Sequence, residues 1–95
     1  MESLTHTFSI RTLLTLLKEG RRMTVEEIAE AIGEPHGSVV HAIDVLKGAD
    51  LVEAKARRAE PYIEDVSLTP AGRITAEKLK EIESVIGWTG HGGVT

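Results

Sequence analysis

"TVEEIAEAIGEPHGSVVHAIDVLKG", Thr24 to Gly48, carries two helical patterns with a tight break between them. In the first, Thr24 is an N-cap and Glu27, three residues on, completes a capping box. Val25, Ile28, Ala29 and Ile32 make the apolar face, and Gly33 ends the helix. After Glu34-Pro35, the residues Val39, Ala42, Ile43 and Leu46 repeat the spacing until Gly48 closes the second helix. The outer and flanking faces of that second helix are left to His36, Gly37, Ser38, Val40, His41, Asp44 and Lys47.

On the amino-terminal side, Ile10, Leu13, Leu14 and Leu17 form a stripe over Ser9 to Lys18, and Gly20 is a natural stop. A basic loop with Arg21 and Arg22 then leads to Thr24. On the carboxyl side the period changes. "LVEAKA" and "YIEDVSL" are extended runs, with Tyr62, Glu64, Val66 and Leu68 on one side of the second, joined by "RRAEP". They predict a hairpin over residues 51–68 with a charged tip. Thr69 as N-cap and Pro70 in the first turn open the longest helix, about 70–87, whose apolar ridge is Ile74, Leu79, Ile82 and Ile86. The Gly-rich residues 88–95 have no period and are expected to be a flexible tail unless Trp88 anchors them.

Ninety-five residues support one core, so residues 1–87 are expected to form a single domain. A composition 41% hydrophobic and 27% charged is that of an ordinary folded chain. With no cysteine there is no disulfide, thiolate metal site or cysteine nucleophile, which suits a cytoplasmic protein. The chain has no apolar run long enough for a bilayer and no secretory signal pattern, so no membrane partner is expected. Catalysis finds no support in a phosphate loop, H-E-x-x-H or serine elbow. Glu64 and Asp65 are adjacent in a strand and point to opposite faces. His36 and His41 are five residues apart, on different helix faces, a poor metal pair. The expectation is a non-enzyme without metal or cofactor.

Helix, helix, short turn, helix, hairpin, helix is the layout of a winged helix-turn-helix, mainly α with a small β-hairpin. The stretch from Met23 to Gly72 resembles small prokaryotic winged-helix transcriptional regulators of the MarR, ArsR and PadR type. The resemblance is carried by "TVEEIA", by the apolar spacing of the following helix, by "LV" before the wing, and by "LTPAG" after it. Two departures stand out: Asp50 occupies the usual place of a glycine before "LV", and the helix from His36 to Gly48 has no Arg and only one Lys, at its end. The first should alter only the turn.

The resemblance implies a DNA-binding transcription regulator acting on double-stranded DNA as a homodimer. Its recognition residues would be His36, Ser38, Val40 and His41. Backbone contacts would come from Lys47, from Lys55, Arg57 and Arg58 in the wing, and from Arg21 and Arg22. If four cations per subunit met phosphates, a dimer would show a log-log salt slope near about -7. Dimerisation falls to Leu79, Ile82, Val85 and Ile86, with the added apolar residues Leu14 and Leu16 of the first helix as a further contact. Against this stand a net charge of -4 and the acids Glu26, Glu27, Glu30, Glu34 and Asp44. On a plainer reading the wing arginines pair with Glu53, Glu60 and Glu64, Asp44 pairs with Lys47, and the chain is a protein-interaction module of a multi-subunit assembly. A small-molecule effector entering between dimer helices is compatible with the sequence, but no residue pattern indicates one.

Overall fold

The structure is a computed structural model that describes the backbone of residues 2–86 and the side chains of residues 7–85. The elements are α1 (Glu2–Glu19), β1 (Met23–Thr24), α2 (Val25–Ile32), α3 (His36–Gly48), β2 (Val52–Ala56), β3 (Glu64–Leu68) and α4 (Pro70–Ile86). The tail expected over 88–95, and the end of α4 at Gly87, lie outside the described residues.

α2 begins as its sequence dictates. The Thr24 side chain accepts from the Glu27 N–H at 3.1 Å, and the Glu27 carboxylate accepts from the Thr24 N–H at 3.0 Å. It ends at Gly33, where φ is +71° and the Gly33 and Glu34 N–H groups both reach the Ala29 carbonyl. α1 is longer than its apolar stripe and its buried face is turned. Ser9, Thr12, Leu13 and Leu16 point inward, whereas Ile10, Leu14 and Leu17 are half-buried flanks. Leu16 therefore belongs to the core, which corrects its expected place in a dimer contact.

The hairpin is one part of a three-stranded antiparallel sheet in the order β1-β3-β2. β1, expected as loop, pairs Met23 with Val66 and Thr24 with Asp65. Two residues give too little pattern to reveal a strand, but Met23 is 2% exposed and anchors it. Val52 pairs with Leu68 and Ala56 with Glu64, so Val52, Ala54, Val66 and Leu68 face inward as the alternation predicts. Tyr62 departs from that alternation. The Ile63 N–H donates to the Glu60 carbonyl at 2.9 Å, so Glu60-Pro61-Tyr62-Ile63 is a turn with proline in its second place, and β3 starts only at Glu64.

The core unites Leu13 and Leu16 of α1, Ile28 and Ile32 of α2, Val39, Ile43 and Leu46 of α3, Met23, Val52 and Val66 of the sheet, and Ala76 of α4. Each large aliphatic side chain withdrawn from water contributes about 2 kcal/mol, so the shared core outweighs any single contact described below. The α3 end is a Schellman turn: the Leu51 N–H reaches the Leu46 carbonyl and the Asp50 N–H the Lys47 carbonyl, with Asp50 at φ +61°. Asp50 thus takes up the left-handed backbone that the expected glycine would adopt, and only the turn is affected. Next to it, Thr69 Oγ1 accepts from the Gly72 N–H at 2.9 Å and donates to the Asp50 carbonyl at 2.7 Å. A Cβ on Gly72 would lie 1.8 Å from the Leu51 carbonyl oxygen.

Asp50→Gly should raise stability by roughly 0.5–1 kcal/mol, because a side chain is removed from a left-handed residue. Gly72→Ala should lower it by about 3 kcal/mol or more, because backbone must move to admit the methyl. Chemical denaturation of both variants checks the opposite signs.

Candidate nucleic-acid interface

α3 is seated by Val39, Ala42, Ile43 and Leu46, all buried, so its opposite side is solvent-facing throughout. His36, His41, Asp44 and Lys47 are exposed there, while Ser38 and Val40 are half-buried at the flanks. Val45, 40% exposed, joins this surface. The apolar spacing assigned the other four residues inward and so left Val45 outward by exclusion, but its aliphatic character hid it. Asp44 and Lys47 form no ion pair among the described residues. The residue before α3 is Pro35, whose side chain makes no cap, so no capping side chain covers the amides of the first turn.

The cations divide into held and free. Arg57 grips Asp65 with two hydrogen bonds, Nε to Oδ2 at 3.0 Å and Nη2 to Oδ1 at 2.9 Å. The expected partners were Glu53, Glu60 and Glu64. Register decides otherwise: Lys55 lies opposite Asp65, which puts Asp65 diagonal to Arg57 on the outer face, while Glu64 points the other way. Arg21 is 3.3 Å from Glu27 and 3.8 Å from Glu19. Arg22, Lys47, Lys55 and Arg58 make no ion pair among the described residues. Arg22 and Lys55 line a shallow hollow of about 260 Å³ on the outer sheet face, with Glu53, Asp65 and Ser67. Arg58 stands at the wing tip, near the turn that leaves Tyr62 82% exposed.

Three acids are paired with arginines, Glu27 and Glu34, which counted against DNA, and Asp65 of the wing. The Thr24 N–H holds the Glu27 carboxyl below the usual glutamate range, against the opposing effect of desolvation and with further help from Arg21. The hydrogen bonds from Arg57 do the same for Asp65, and Asp65 in turn raises Arg57. Glu34, beside the start of α3, lies 3.2 Å from the Arg11 guanidinium. That pair spans α1 and the α2–α3 turn, and no local sequence signal announces it. Glu26 and Glu30 remain exposed on α2.

On the far side, α4 exposes Ile74, Ile82 and Val85, at 59%, 49% and 82%. Leu79 is half-buried against the monomer core, so the expected dimer ridge is shared between core and surface. The side chain of Ile86 lies outside the described residues. α1 and α4 flank a groove of about 580 Å³ lined by Leu14, Thr15, Leu17, Lys18, Lys80 and Glu83. Among the described residues no group of three His, Asp or Glu could hold a metal, and no helix is long and apolar enough to cross a membrane.

No family model matches the chain, and no curated protein matches it by sequence. Solved structures do match. YusO protein from Bacillus subtilis superposes with a TM-score of 0.75 at 26% identity, over 84% of this chain and 56% of that one. The fold is a winged helix-turn-helix. The adhesin competence repressor AdcR from Streptococcus pyogenes aligns with a TM-score of 0.73 at 18% identity, over 82% of this chain and 56% of its own. AF1382 from Archaeoglobus fulgidus gives 0.73 at 24% identity, over 81% of this chain and 85% of its own. The chain thus spans little more than half the length of AdcR and YusO, and most of AF1382. In this frame α2 and α3 are the helix-turn-helix and β2–β3 the wing.

Because Glu27 and Asp65 have lowered pKa values in the folded chain, the stability they supply is in place above about pH 4, their range in unfolded chains. It is lost as pH falls through the lowered folded values. Carboxyl-carbon NMR titration should place both midpoints below those of model peptides. A normal midpoint for Asp65 would mean that the Arg57 fork does not form in solution.

Proposed function

We propose that the chain is a DNA-binding transcription regulator: a winged-helix domain over residues 1–87 that grips duplex DNA as a homodimer in the cytoplasm. The observation that carries this reading is that, of the eight lysines and arginines without a carboxylate partner among the described residues, four, Arg22, Lys47, Lys55 and Arg58, are disposed on the wing, the sheet face and the end of α3. Those four stand where the winged-helix layout meets a phosphate backbone, while the other four, Lys18, Arg73, Lys78 and Lys80, lie on α1 and α4. The shared fold with a protein named as a repressor supports the regulatory role.

In this reading His36, Ser38, Val40 and His41 meet base edges in the major groove, and N–H groups at the α3 start donate to a phosphate. Arg57 and Arg21 shape their surroundings more than they touch DNA. Arg57 fixes the wing through Asp65, and Arg21 supports the α2 cap through Glu27. Ile82 and Val85 form the two-fold contact, setting two α3 helices about one DNA turn apart.

A second reading is favoured by one observation. Glu26 and Glu30 form an exposed acidic edge on α2, which suits a protein-interaction module with a basic partner.

Selection of duplexes from a random pool, followed by binding titrations across salt, separates the two. The parent should bind with a steep salt dependence. Lys55→Ala or Arg58→Ala should weaken binding and lower the salt slope by about one for each phosphate that no longer meets a cation. Unchanged affinity in both variants would sink the wing assignment. Ile82→Glu with Val85→Glu should convert the dimer to a folded monomer in sedimentation, and reduce duplex affinity by about tenfold or more because two linked half-sites become one. A parent that sediments as a monomer would count against the two-fold arrangement.

A further inference from the structure

We propose that Arg11 of α1 is a positioning residue for the entry to α3: it clamps the α2–α3 turn and cancels the charge of Glu34, so that phosphate can approach. This inference rests on the DNA-binding reading above. Arg11 Nη1 donates to Glu34 Oε2 at 3.2 Å, and its Nη2 donates to the Ile32 carbonyl. Ile32 is the last residue of α2, where carbonyls lack intrahelical donors and the helix dipole is negative. One guanidinium therefore answers a helix end and an adjacent carboxylate together, a task that its planar fork suits better than the single ammonium of lysine.

The location gives the pair its effect. Glu34 stands two residues ahead of His36, the first residue of α3, and its side chain is 25% exposed, less than the 43% of Arg11. A carboxylate so placed, left unpaired, would set a negative charge beside the amides that meet phosphate and would be poorly screened by water. Arg11 is carried on a helix whose neighbours Thr12 and Leu13 are buried, so the counter-charge comes from a fixed support. The α1 helix thereby acts on the reading head without touching DNA.

A double-mutant cycle on a duplex selected by the parent from a random pool tests this. Arg11→Gln should weaken binding by about three- to tenfold at low salt, and the effect should shrink as salt rises. Glu34→Gln should bind as well as the parent or better. The Arg11→Gln/Glu34→Gln double variant should recover most of the loss, short of the parent by what the Ile32 contact supplies, and Arg11→Lys, which keeps the charge but not the fork, should lie between the parent and Arg11→Gln. A purely structural role would leave the double variant no better than Arg11→Gln, and would overturn the proposal. So would an Arg11→Lys variant weakened as much as Arg11→Gln. If no duplex is selected at all, the DNA-binding reading falls and this role with it. If the parent binds and Arg11→Gln binds equally, only the role of Arg11 is removed.

Discussion

The arrangement of the molecule depends on one joint, where the end of α3, the start of the wing and the start of α4 are tied by Thr69. Its hydroxyl caps α4 through Gly72 and reaches back to the Asp50 carbonyl, while its own N–H donates to the Leu51 carbonyl at 3.1 Å. Gly72 lies so close to Leu51 that any side chain there would force the backbone to shift. Three elements that share no continuous hydrogen-bonded structure are thereby fixed relative to one another at a single point. The hydrophobic core supplies most of the stability, but it is less directional. The joint sets how the wing and α3 are placed relative to each other.

Much of the fold is legible in the chain because its signals are local. A capping box, glycine stops and a 3.6-residue spacing locate α2 and α3, and the structure reproduces the buried set Val39, Ala42, Ile43 and Leu46. Two features escaped for opposite reasons. β1 is too short to show a period, and becomes a strand only because β3 offers an edge. The rotation of α1 escaped because Ser9 and Thr12, polar by type, are buried at 6% and 0%, and tertiary packing overrode the apolar stripe.

The candidate site was legible in position but not in electrostatic state. The basic residues and the outer face of α3 follow from spacing. Which cations are engaged does not, since Arg11–Glu34 and Arg57–Asp65 join residues 23 and 8 apart through tertiary placement and strand register. The structure turns an acidic-looking sequence into a surface in which several acids are already committed. Net charge is a poor guide where charges are paired so locally.

The two residues of β1 carry a further consequence. Thr24 is at once the partner of Asp65 in the sheet and the cap of α2, so the helix-turn-helix is laced to the wing at its first residue as well as through the joint at its last. The base of the wing and α3 are thus tied to each other at two points. In the proposed reading a duplex meets wing and α3 as one surface whose relative placement the fold already sets.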